Sequence, residues 1–170
     1  MNVLLFSMPD SFEHMPSIVI RMPNGALTSL AGNVDPHHRV AVADLILAQR
    51  QVRETVEGLV RRLQPDVIGL SIMTFQRDTA RKIITLLRRI KPAARIVVGG
   101  YDPSLAPEAY MDGSPASADF IVRGEGEITF RELVRAIENH SACDSIRGLS
   151  FRHGDRVQHN PERTISDLES

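Results

Sequence analysis

The stretch Arg95-Ile-Val-Val-Gly-Gly-Tyr-Asp-Pro-Ser-Leu-Ala-Pro107 decides how the chain is read. An apolar, β-branched run of strand length stops at Gly99-Gly100, and a loop of small and polar residues follows. In an open parallel sheet, the loops leaving the carboxyl ends of the strands form the ligand crevice. Adjacent glycines at that point let a flat ligand approach the backbone with no Cβ in the way. The same pair also suits a tight turn requiring positive φ, so the glycines alone leave both readings open.

Working outward, amphipathic helices flank this strand. Arg77 to Ile90 carries Ala80, Ile83, Ile84, Leu87 and Ile90 at helical spacing and is closed by Pro92. Gln49 to Leu63 carries Val52, Val56, Leu59, Val60 and Leu63 and is closed by Pro65, and Glu127 to Asn139 turns Phe130, Leu133, Val134 and Ile137 inward. Thr129 and Glu132 have the spacing of a capping box for that last helix. Between these helices lie strand-length apolar runs at Asn2 to Ser7, Arg39 to Ala43, Asp66 to Met73 and Asp119 to Arg123. Short helices are expected at Gly25 to Ala31 and within Pro103 to Met111. Alternation at this spacing predicts an α/β doubly wound, flavodoxin-like parallel sheet of five strands in the order 2-1-3-4-5. Leu149 to His153 and Arg156 to His159, separated by Gly154-Asp155, predict a C-terminal β-hairpin.

Composition bounds the function. The 170 residues are 42% hydrophobic and 24% charged, with a formal net charge of −1, an ordinary water-soluble balance. That balance provides no global basic field for nucleic acid. No apolar run approaches the ~18 residues of a membrane span. Cys143 is the single cysteine, which fits the reducing cytoplasm and leaves no set of three or four thiolates for an iron–sulfur cluster.

Four common chemistries of this fold class are missing. The loop after the first strand, Ser7-Met-Pro-Asp-Ser-Phe12, has neither a glycine fingerprint for dinucleotides nor a hydroxyl-rich flavin-phosphate loop. There is no P-loop. The third strand ends in Ser71-Ile-Met-Thr74, where a phospho-acceptor domain needs an aspartate. What remains are crevice loops at Met8 to His14, Ser71 to Gln76, Gly99 to Pro107 and Arg123 to Glu127. Ser71 and Thr74 offer hydroxyls to a buried heterocycle, or equally to nearby backbone. Gly124-Glu125-Gly126 opens a helix whose free amides suit a ligand oxygen, while Glu127 complements the helix dipole.

Taken together, Ser71-Ile-Met-Thr74, Gly99-Gly100 and Val122-Arg-Gly-Glu-Gly-Glu127 resemble the cobalamin-binding N-terminal domain of cobalamin-dependent radical S-adenosylmethionine enzymes. Those domains show Ser-x-x-Thr at the third strand, Gly-Gly after the fourth and Arg-Gly-Glu-x-Glu after the fifth. The resemblance implies cobalamin bound base-off. Its site would be lined by Ser71, Met73, Thr74, Gly99, Gly100, Tyr101, Ser104, Gly124, Glu125 and Gly126. It also implies a division into a cobalamin-binding domain, 1–143, and a hairpin and connector, 144–170. The connector would lead towards a catalytic domain, in cis or in trans, that holds the 4Fe-4S cluster and S-adenosylmethionine and carries out methyl transfer or a related radical reaction.

Corrinoid proteins of the mutase type carry Asp-x-His-x-x-Gly after the first strand, and its histidine ligates cobalt. Here the loop reads Asp10-Ser-Phe-Glu-His14, with different spacing and no glycine. His14 is the one candidate axial cobalt ligand of that loop and otherwise reads as an ordinary loop histidine. Asp35-Pro-His37 mimics half the motif but precedes the second strand, at the opposite end of the sheet. His37 and His38 therefore read as surface turn histidines. The alternative function is a cofactor-free docking or regulatory α/β domain. A small enzyme using Asp10, His14 and Glu125 as acid–base groups is a third reading.

Overall fold

The computed structural model describes residues 1–12, 25–48, 50–154 and 156–164. Its core is a parallel array of β1 (Asn2–Ser7), β2 (Arg39–Asp44), β3 (Val67–Ser71), β4 (Arg95–Gly99) and β5 (Phe120–Val122). These strands lie in the order β2-β1-β3-β4-β5, as the alternation of apolar runs and amphipathic helices predicts. The C-terminal hairpin, β6 (Leu149–His153) and β7 (Arg156–His159), extends this sheet, with β6 pairing antiparallel to β5. Seven strands therefore form one sheet.

Both faces are covered, which is why the central strands read as near-continuous apolar runs. Val3 to Phe6, Val67 to Leu70 and Ile96 to Val98 are all buried. Helices α1 (Gly25–Asn33) and α5 (Glu127–Glu138) pack together on one face. Helices α2 (Val52–Leu63) and α3 (Arg77–Ile90) pack together elsewhere on the sheet. α2 is stopped by Gln64, which takes a left-handed φ of 43° and returns its N–H to Val60 before Pro65. The short helix expected within Pro103 to Met111 is two pieces, α4 (Tyr101–Leu105) and a 3-10 turn at Pro107–Tyr110.

One local expectation is corrected. α5 is capped by Gly126 with no side-chain bond. Thr129 lies inside its first turn, fully buried, and donates to the Arg147 carbonyl at 2.8 Å, so no capping box forms. The chain after β7 packs back onto the domain. Asn160 is buried and its amide donates to the carbonyls of Cys143 and Ile146 at 2.7 and 2.8 Å. Asn160→Ala removes both donors and leaves two carbonyls without them. A loss of about 2 kcal/mol in urea unfolding is the expected result.

Candidate functional site

Side chains alternate along a strand, so every second residue of β1, β3, β4 and β5 shares one face. The parallel register aligns Leu5, Gly69 and Val97 in one row, and Ser71, Gly99 and Val122 in the next. A glycine at the centre of each row leaves a trough. Leu27 and Leu30 of α1 and Phe130 of α5 roof it over, enclosing a crevice of about 110 Å³. Its walls are apolar, and its mouth is at Ser71, Gly100, Gly124 and Gly126.

The two adjacent glycines have different jobs. Gly100 has φ +102°, and a Cβ there would lie 2.7 Å from the Ile72 carbonyl oxygen and 2.8 Å from its nitrogen. It is the tight-turn glycine. Gly99 lies in the strand, and a Cβ on it would meet only the Val122 carbonyl at 3.4 Å and the Val122 side chain at 3.7 Å. The protein therefore has room for a side chain at Gly99, and its absence holds the crevice open. Gly69 is the companion that sequence reading passed over. A Cβ there would press on Leu5 Cδ2 at 2.7 Å. A glycine inside an otherwise apolar central strand was the available signal.

The hydroxyls divide similarly. Ser71 lines the crevice, half-buried at the end of β3. Thr74 is exposed and is not among the residues lining the crevice. Asp102 is 2% exposed and anchors the whole loop after β4. Arg77 donates to its two oxygens from Nε and Nη2 at 2.8 and 2.7 Å, and the Tyr110 hydroxyl donates at 2.6 Å. The Arg77 guanidinium keeps the Asp102 carboxyl below the usual carboxylate range, outweighing burial. Burial and the Asp102 carboxylate together push the Tyr110 phenol upward. Neither Asp102 nor Arg77 was marked by any motif.

The remaining candidates surround the mouth. Met73 and Tyr101 are 47% and 60% exposed, beside Phe75 and Leu105, so an apolar rim faces outward here. Ser104 links the loops: its hydroxyl donates to the Gly100 carbonyl at 2.8 Å and accepts from the Gly124 N–H at 3.2 Å. Gly124, at φ +67°, and Glu125 are exposed, and Gly126 lies between Leu30 and Val122. Arg123 points elsewhere, bonding through Nη2 to the Asn160 carbonyl and so tying β5 to the tail. Glu127 accepts from Ser29 at 2.9 Å, joining α1 to α5. On the loop after β1, Gln76 bonds the Met8 carbonyl at 3.0 Å and holds Asp10 near the edge of the site. His14 lies outside the described residues.

An open α/β sheet with a glycine-floored apolar crevice at its carboxyl edge is the architecture of a ligand-binding domain. Comparison with known proteins specifies which one. The B12 binding domain family model matches residues 15–134, and the chain belongs to that family. It is 28% identical over 97% of its length to an uncharacterised methyltransferase of Pyrococcus horikoshii, covering 36% of that protein. It is 30% identical to the anaerobic magnesium-protoporphyrin IX monomethyl ester cyclase of Synechocystis, over 99% of this chain and 34% of that one. The fold matches the radical S-adenosylmethionine methyltransferase TsrM from Kitasatospora setae, solved with cobalamin and a 4Fe-4S cluster. That match has a TM-score of 0.78 at 22% identity and covers 97% of this chain and 29% of TsrM. The cobalamin-dependent radical enzyme OxsB matches with a TM-score of 0.76 at 23% identity, over 96% of this chain and 22% of its own. The chain thus spans about a third, or less, of the length of these relatives. No helix among the described residues is long and apolar enough to cross a membrane.

Proposed function

We propose that this chain binds cobalamin base-off, as the corrinoid module of a radical S-adenosylmethionine methyltransferase-like enzyme. The observation that carries the reading is the crevice between the sheet and helices α1 and α5, floored by Gly69 and Gly99. A nucleotide tail detached from cobalt would be held in this slot by the bare backbone of Gly69 and Gly99 and by the Ser71 hydroxyl. Met73, the Gly100 to Ser104 loop and Gly124 to Gly126 would hold the corrin. Tyr101 and Met73 supply apolar surface that excludes water, and Ser104 holds the two loops at a fixed separation. Asp102, held by Arg77 and Tyr110, keeps the edge of the mouth in place beside the exposed Thr74. Bound there, cobalamin supplies methyl- or radical-transfer chemistry, and the protein supplies binding and orientation.

Residues 144–170 serve as the connector to a catalytic domain, joined in cis or in trans, that holds the cluster and S-adenosylmethionine. The exposed Phe75, Tyr101 and Leu105 give such a domain an apolar surface to close against. The cytoplasm is the compartment consistent with a single free cysteine.

Among the described residues, none of those lining the crevice is a histidine. Electron paramagnetic resonance of the cob(II)alamin-loaded protein tests the base-off reading. A spectrum without axial-nitrogen splitting is expected. A nitrogen triplet from the benzimidazole base would contradict it, and a triplet persisting with a cobinamide lacking that base would assign the ligand to a histidine.

A further inference from the structure

At the end of the sheet opposite the crevice, the turn leading into β2 brings two adjacent histidines to the C-terminal end of α5. His37 Nε2 lies 3.1 Å from Glu138 Oε2, and His38 Nε2 lies 3.7 Å from the same oxygen. One ligand atom from each of the three residues falls within 4.8 Å of the others. His37 is exposed, as the sequence suggests, but the His38 side chain is 0% exposed, which corrects its reading as a surface residue. The amine of Met1 approaches His38 Nδ1 at 3.1 Å and fixes one edge of the ring. The other edge faces Glu138, and its Nε2 is fully buried without a hydrogen-bond partner. Such a desolvated, unpartnered nitrogen is costly and calls for an explanation.

We propose that His37, His38 and Glu138 form a site for a divalent transition metal of the zinc class. Two imidazole nitrogens and a carboxylate oxygen suit that ion, which binds such atoms at about 2.0–2.2 Å and leaves a fourth position for water. Tetrahedral bonds of that length set ligand atoms about 3.3 Å apart, between the two measured separations. The frame is already fixed: Arg135, one turn before Glu138, grips Asp35 through two hydrogen bonds of 2.6 Å and clamps the histidine turn onto α5. A metal at His38 Nε2 requires that nitrogen unprotonated, which leaves Nδ1 to hydrogen-bond the Met1 amine. The bound ion clips residues 37 and 38 to residue 138, across a hundred residues of chain and far from the cofactor crevice. The inference is therefore independent of cobalamin.

Tag-free, EDTA-treated full chain titrated with zinc chloride, without corrinoid, provides the test. One equivalent should bind with micromolar or tighter affinity. The melting temperature should rise by about 5–10 °C at a hundredfold excess over Kd. His37→Ala and Glu138→Gln change exposed or half-buried ligands, so both should keep the native circular dichroism spectrum while weakening zinc at least about tenfold. Failure of the wild-type chain to take up zinc at about 100 µM overturns the site. Undiminished uptake by both variants also overturns it, by placing the metal elsewhere.

Discussion

A Gly99→Val chain should fold and lose affinity for corrinoid. Gly99 is a strand position with ordinary space around its missing Cβ, and valine favours strands. The sheet therefore accepts the change at a cost of roughly 1 kcal/mol or less, because the added atoms enter a void. That void is the crevice of about 110 Å³, in which three extra carbons stand where a ring would lie. Cobalamin affinity should fall at least about a hundredfold, or roughly 2.8 kcal/mol. Titration with hydroxocobalamin beside urea unfolding measures both quantities. Gly100→Ala should show the opposite balance. Its φ of +102° and its 2.7 Å approach to the Ile72 carbonyl make even one methyl a backbone clash. Stability should drop by about 2–4 kcal/mol. If both glycines behaved alike, the division between crevice floor and turn would be wrong.

Asp102→Ala should loosen the loop after β4 by about as much as Gly100→Ala, for a different reason. Alanine leaves the Tyr110 hydroxyl buried without its acceptor and Arg77 without its carboxylate. Because Arg77 remains partly exposed, the loss sits near the lower end of the range for broken buried pairs, about 3 kcal/mol. Its pH dependence identifies the cause. The folded-state pKa of Asp102 is depressed, chiefly by the Arg77 hydrogen bond, relative to a free carboxyl near 3.9. Its contribution is therefore fully present above the unfolded value and disappears as pH falls through the folded one. The gap between wild type and variant should stay constant from about pH 7 to pH 5 and narrow below about pH 4. A gap independent of pH down to acid unfolding would mean that packing, rather than the carboxylate, holds the loop.

The framework was legible because it depends on local periodicity. Arg77 to Ile90 reads as a helix from its apolar spacing, and the structure returns the same bounds. The apolar runs of β1, β3 and β4 similarly specify strands buried on both faces. The hairpin was legible as a hairpin. Its addition to β5, however, depends on pairings such as Val122 with Leu149, which no local pattern carries. The site was legible wherever it coincides with strand ends, at Ser71 and Gly99. Its deeper parts were not. Gly69 matters only because the register sets it beside Leu5. Asp102 matters only because Arg77, 25 residues earlier, folds back to it. His38 reads as a surface residue until α5 and the chain's first residue close over it.

The most direct measurement is reconstitution. The purified chain, shown to be folded by circular dichroism, is mixed with hydroxocobalamin at micromolar concentration and separated by gel filtration with full visible spectra. A near-stoichiometric corrin spectrum should travel with the wild-type protein peak and be lost from the Gly99→Val peak. A folded but colourless wild-type peak would contradict cobalamin binding by this chain and favour the cofactor-free docking domain.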